Sequence, residues 1–168
     1  MLTIDVRQAT HPEHAKRYDT TELRRHFHVD GLFRPGAISL TYSHVDRFVV
    51  GGAVPLGEGL ALTAPKPIGT ASFLDRRELG VVNVGGSGDV QVGDEHHALG
   101  RGEALYVGRG AGEVSFHSVS AENPARFYLL STPAHATHPT VRITEANARR
   151  LDLGAAASAN VRTIFQMI

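Results

Sequence analysis

Asp75-Arg76-Arg77-Glu78 is the densest run of charge in the chain. An arginine fork grips a carboxylate in bidentate fashion, so Arg76, Arg77 and Glu78 are candidate contacts for an acidic sugar. The same run would serve as salt bridges along a strand edge. His44 beside Asp46 offers an oriented imidazole, or a turn closed by an Asx hydrogen bond. His135 and His138 share a loop with Pro133 and Pro139 and could meet a metal or a carboxylate, or simply sit on a structural loop. His26 and His28 form an H-x-H pair, read as solvated side chains at a helix end. His96-His97 falls on a strand, where successive side chains face opposite sides, so the two rings cannot share an ion. Gly85-Gly86-Ser87-Gly88 is followed by no helical pattern and is not a dinucleotide fingerprint. No nucleophile elbow is present.

These groups need a scaffold, and the stretch Phe73 to Phe116 describes one. Apolar and polar residues alternate through Val81–Val84 and Val90–Val92, with glycines between the runs. That spacing predicts short antiparallel strands in a sandwich or barrel, with turns at Gly85–Gly88, Gly93-Asp94 and Gly100–Gly102. Further strands are expected at Ala37–Ser43, Arg47–Val50 (ended by Gly51-Gly52), Leu60–Thr63, Val114–Val119 and Arg126–Ser131. Residues 1–18 read as an arm. Asp19-Thr20-Thr21-Glu22 is a capping box opening a helix to Phe27, with Leu23 and Phe27 on one face. Thr144-Glu145 is expected to cap a second short helix to Leu151, and Gly154–Asn160 reads as a linker. Val161, Ile164, Phe165, Met167 and Ile168 then form an apolar tail that expects a docking surface. The division is therefore an arm and helix at 1–36, a β-barrel at 37–140, and a helix with the start of a connection at 141–168.

The 168 residues suffice for one core. Lys plus Arg equals Asp plus Glu at 17 each, so no net charge favours nucleic acid or an anionic membrane. Cysteine is absent, which excludes disulfide and thiolate chemistry. There is no secretory pattern at the start and no run of the ~20 apolar residues that a spanning helix needs. The expectation is a soluble cytoplasmic protein.

The strand pattern resembles a cupin, a small jelly-roll barrel. A metal-binding cupin supplies H-x-H, then a glutamate, then a later histidine, a donor set suited to a divalent transition metal. Glu78 stands six residues before Gly85, as that pattern asks. The H-x-H positions, however, fall on Ser72 and Leu74, or on Ala71 and Phe73, and the later position falls on Glu113. Hydroxyl and apolar groups cannot replace imidazole, so no metal ligand is expected in this chain.

Four blocks carry a more specific likeness: TYSHVDRFVVGG (Thr41–Gly52), FLDRRELGVVNVGGSG (Phe73–Gly88), EALYVGRGAGEV (Glu103–Val114) and FYLLSTPAHATHPT (Phe127–Thr140). With DVRQATHPEHAKRYDTTELR at Asp5–Arg24, they resemble the 5-keto-4-deoxyuronate isomerases (4-deoxy-L-threo-5-hexosulose-uronate ketol-isomerases) over nearly the whole chain. The resemblance implies two cupin barrels in a longer polypeptide, with zinc held by the second barrel and none by these residues. It implies pectin and uronate catabolism, interconverting 5-dehydro-4-deoxy-D-glucuronate and 3-deoxy-D-glycero-2,5-hexodiulosonate in a homo-oligomer. This chain would then be the N-terminal half, with Arg76, Arg77, Glu78 and His44 offered to the uronate. Two other readings stay open: a non-catalytic module for assembly or sugar binding, and an independent metal-dependent enzyme using His44, His135 or His138.

Overall fold

The computed structural model describes residues 1–167. Thirteen strands and two short helices follow one another: β1 (Leu2–Arg7), α1 (Pro12–Ala15), α2 (Thr20–Phe27), β2 (Ala37–Ser43), β3 (Val49–Val54), β4 (Leu60–Ala61), β5 (Arg77–Asn83), β6 (Gly88–Val92), β7 (Glu95–Leu99), β8 (Ala104–Val107), β9 (Val114–Ser118), β10 (Phe127–Pro133), β11 (Val141–Ile143), β12 (Arg149–Leu153) and β13 (Arg162–Gln166). A seven-stranded sheet, β1-β2-β3-β10-β5-β8-β11, faces a four-stranded sheet, β4-β9-β6-β7. The expected all-β, jelly-roll type sandwich is what forms.

Period-two patterning explains the core. On β5, Leu79 and Val81 point inward and are at most 1% exposed, whereas Glu78 and Val82 alternate outward. Ile38, Leu40, Phe127, Leu129, Leu105 and Val107 complete the large sheet's inner face. Val90, Val114 and Phe116 answer from the small sheet, and the Phe116 and Phe127 rings lie 5.3 Å apart between the layers. Such tilted aromatic contact adds to area burial.

Four expectations are corrected. Residues 2–7 are not a loose arm: β1 pairs in parallel with β2, Ile4 opposite Leu40. The signal was present and passed over: Leu2, Ile4 and Val6 alternate with Thr3, Asp5 and Arg7 in strict period two. Gly51-Gly52 does not end β3 but sits within it. A Cβ at Gly51 would meet Leu40 Cδ2 at 2.5 Å and the Ser39 carbonyl at 2.8 Å, and one at Gly52 would strike the Leu32 carbonyl. The glycines are there for close backbone approach, not for a turn.

Thr144–Leu151 is not a helix. Asn147 Oδ1 accepts from the Thr144 amide at 2.6 Å and its Nδ2 donates to the Arg142 carbonyl at 3.1 Å, closing a turn. The chain then enters β12, which pairs antiparallel with β13, so Gly154–Asn160 is the loop of a hairpin and not a linker. A one-turn 3-10 segment at Ala156–Ser158 is the helical element near this end. In the tail, Leu151 lies opposite Ile164, while Ile168 is outside the described residues. The capping box is found as expected: Asp19 Oδ1 accepts from the Glu22 amide at 2.8 Å and Glu22 Oε2 from the Asp19 amide at 3.1 Å. No helix among the described residues is long and apolar enough to cross a membrane.

Candidate functional site

β5 divides the charged run by simple alternation. Arg77 falls on the inward face and is 5% exposed. Its Nε donates to Ser131 Oγ at 3.0 Å, and Nη2 donates to the Ser131 carbonyl at 2.9 Å and the Arg47 carbonyl at 2.6 Å. The guanidinium lies 5.9 Å from the centre of the Tyr42 ring, within cation–π range. His44 stands edge-on to the same ring at 5.2 Å. Burial lowers the Arg77 pKa from its usual value; Tyr42 opposes this with a weaker raising influence, and the Arg47 charge adds a still smaller lowering one. Arg77 and His44, distant in sequence, are thus gathered around Tyr42 at the β2–β3 end of the sandwich.

Glu78 leaves on the opposite face. Its Oε2 accepts from the Tyr106 hydroxyl at 2.7 Å, a diagonal contact from β5 to β8, because Gly80 is the residue directly opposite Tyr106. Desolvation first, then the Glu78 hydrogen bond and charge, push the Tyr106 hydroxyl up to about 12. Arg76 is exposed just before β5, and its carbonyl accepts from the Ala134 amide at 3.0 Å. That bond and Arg109 Nη1 to the Ala134 carbonyl at 3.1 Å pin down the loop carrying His135 and His138. The His138 ring reaches Tyr106 edge-on at 6.4 Å, and both His135 and His138 are exposed. The four sequence candidates therefore separate into two sites: His44 with Arg77, and Glu78 with Arg76 on the outer side.

Of the positions that a metal-binding cupin would use, Glu78 points away to Tyr106, and the others converge. Ala71, Ser72, Phe73, Leu74 and Glu113 all line one groove of about 280 Å³, beside Thr63, Gln91 and Ser115. Its donors are hydroxyls, one amide and one exposed carboxylate, a set that does not fit the zinc implied by the resemblance. Among the described residues no three His, Asp or Glu side chains come together in a way that could hold a metal ion. His96 Nδ1 meets Asp89 Oδ1 at 2.8 Å, while His97 turns to the other face. His26 stacks on Tyr18 at 4.8 Å, and His28 is exposed.

Sequence reasoning passed over Tyr106, Ser131, Arg47 and Asn83, which matter here. Tyr106 and Ser131 read only as strand positions. Arg47 and Asp46 both adopt φ of 53°, the left-handed region, at the centre of the turn that the Phe48 amide closes on the Val45 carbonyl. Asn83, fully buried, makes four hydrogen bonds that lock the glycine-rich turn to residues 99 and 126. An asparagine closing an apolar strand before Gly-Gly was the one available signal for the last.

Comparison with known proteins places this geometry. The chain is 50% identical, over 167 residues, to 4-deoxy-L-threo-5-hexosulose-uronate ketol-isomerase 1 of Rhizobium meliloti (strain 1021), covering 99% of this chain and 60% of that protein. It is 49% identical over 168 residues to the 4-deoxy-L-threo-5-hexosulose-uronate ketol-isomerase of Cereibacter sphaeroides (strain ATCC 17029 / ATH 2.4.9), again covering 60% of the relative. The chain thus spans about 60% of the length of the curated relatives it matches. Among solved structures, an IolB-like protein from Salmonella typhimurium LT2 superposes with a TM-score of 0.53 at 18% identity, over 72% of this chain and 43% of that one, a likeness of fold. The model of the KduI/IolB family matches residues 34–168, and the chain belongs to that family.

Proposed function

We propose that this chain is the metal-free N-terminal sandwich of a 4-deoxy-L-threo-5-hexosulose-uronate ketol-isomerase. The observation that carries the reading is identity of 49–50% across 99–100% of the chain to proteins of that name. The reaction interconverts 5-dehydro-4-deoxy-D-glucuronate and 3-deoxy-D-glycero-2,5-hexodiulosonate, in the cytoplasm and within a homo-oligomer. It moves a proton between adjacent carbons, which requires a base and a means of holding the developing oxyanion. No step is routed through a metal here, because the donors of this chain do not fit one. What these residues supply is a rigid sandwich, Arg76 and the Tyr106–Glu78 pair on its outer face, and an arginine-rich corner at the β2–β3 end.

The test is isomerase activity of the 168-residue chain, measured beside a polypeptide continued to the full length of the relatives. Activity is expected in the long form and not in the short one, with Arg76→Ala in the long form weakening uronate binding. A long form that folds and binds uronates without turning them over would favour the second reading, a non-catalytic sugar-binding module.

A further inference from the structure

Arg77 presents a physical imbalance. A buried guanidinium is ordinarily matched by a carboxylate, because its desolvation is otherwise uncompensated. None of the ion pairs among the described residues includes Arg77. The acids nearest in sequence are engaged elsewhere: Asp75 accepts from the Ser72 amide at 2.9 Å and Glu78 from Tyr106 at 2.7 Å. Three hydrogen bonds satisfy Nε and Nη2. Nη1 has no partner, yet it is not among the buried unpartnered side-chain atoms, which are Ser39 Oγ and His97 Nε2. One end of a held, charged fork is therefore unpartnered and not completely sealed from solvent.

Its surroundings repeat the same sign. Arg47, whose carbonyl lies 2.6 Å from Arg77 Nη2, brings a second cation to the same turn, and His44 borders the shared Tyr42 ring. Arg47 holds its left-handed backbone at the turn position where glycine is the usual occupant. That conformation aims its carbonyl at Arg77 Nη2. Strain of this kind persists where the surrounding structure imposes it, and here it fixes the orientation of the unpaired fork.

We propose that Arg77 Nη1, flanked by Arg47 and His44, is a carboxylate-binding site taking the acid group of a small sugar acid. The site deepens the uronate reading by naming where an acid group docks. It belongs to this chain's own geometry, so a chain without isomerase activity would keep it.

The test is calorimetric titration of the 168-residue chain with sodium glucuronate, and separately with acetate and inorganic phosphate, against sodium chloride at matched ionic strength. Saturable glucuronate and acetate binding beyond the chloride response is expected, with phosphate weaker. Arg47→Gly keeps the left-handed backbone and the carbonyl that Arg77 needs while removing one cation. It should weaken glucuronate about tenfold, the loss of one charge-assisted contact. His44→Gln should weaken it less. Glucuronate that merely competes with self-association seen by sedimentation would assign the carboxylate to a second copy and overturn the small-acid site. Glucuronate indistinguishable from chloride, or affinity unchanged in Arg47→Gly, overturns it. Glucuronate binding by this chain, with a full-length form that binds uronates without turning them over, would leave the site intact while the isomerase reading fails, so the two failures are separable.

Discussion

Asn83→Ala should be among the most damaging single substitutions in this protein. The Asn83 side chain is wholly buried at the end of β5. Its Nδ2 donates to the Gly86 carbonyl at 2.7 Å and the Leu99 carbonyl at 2.9 Å. Its Oδ1 accepts from the Gly85 amide at 3.0 Å and the Arg126 amide at 3.2 Å. Truncation strands four backbone groups that belong to three separate segments. At about 1 kcal/mol net for each lost hydrogen bond, the cost comes to about 4 kcal/mol. A water admitted to the gap would restore part of this, leaving a loss of at least about 2 kcal/mol. Against a total stability of about 5–15 kcal/mol, either figure is large. Urea denaturation followed by far-UV circular dichroism measures it as a fall in midpoint at constant slope. Asn83→Asp is the companion variant: it keeps the shape but turns both donors into acceptors facing two carbonyls, so it should be no milder at neutral pH. A loss below about 1 kcal/mol for Asn83→Ala, with the slope unchanged, would refute the idea that this amide staples the glycine-rich turn to the barrel.

Gly52→Ala should destabilise by about 1–3 kcal/mol, since its methyl would collide with the backbone carbonyl of Leu32; a change within error in the same urea experiment would contradict the packing account. Tyr106→Phe should flatten the alkaline end of the stability profile. Because the folded hydroxyl is raised to about 12 from 10.0, its stabilising share is full below pH 10 and is lost as pH rises toward 12, a slope that thermal melts of the variant should lack. Glu103 behaves with the opposite sign. Arg142 Nη2, 2.7 Å from both carboxylate oxygens, lowers its pKa first, followed by the Gly100 amide. The contribution is thus present above 4.5 and fades as pH falls below it, and Glu103→Gln should be less acid-sensitive than the parent. Asp19→Ala should cost about 1 kcal/mol through loss of the α2 cap, read in the same melts.

Local chemistry settled a good deal of this protein in advance. Alternating residues at Val81–Val84 and Val90–Val92, broken by glycine turns, already specify β5, β6 and the jelly-roll type layering, because side-chain period and turn conformation are properties of a few adjacent residues. The Asp19–Glu22 capping box specifies α2 for the same reason. Missing imidazoles at Ser72, Leu74 and Glu113 could be read directly, and the fold then assembled those positions around one groove. What short-range pattern could not supply was partnership. β1 forms only because β2 offers an edge, and Gly51-Gly52 lies inside a strand because Leu40 and Leu32 press against it from other segments. The Thr144–Leu151 stretch gives up its expected helix to a turn and to pairing with β13, a contact from residues 162–166. The run Asp75–Glu78 looks like one cluster on paper. The pleat sends Arg77 inward to Tyr42, Ser131 and the Arg47 carbonyl, and Glu78 outward to Tyr106. Charge types are written in the chain, but which charges meet is decided by the sheet, since the contacts that orient them join residues 28 to 54 positions apart.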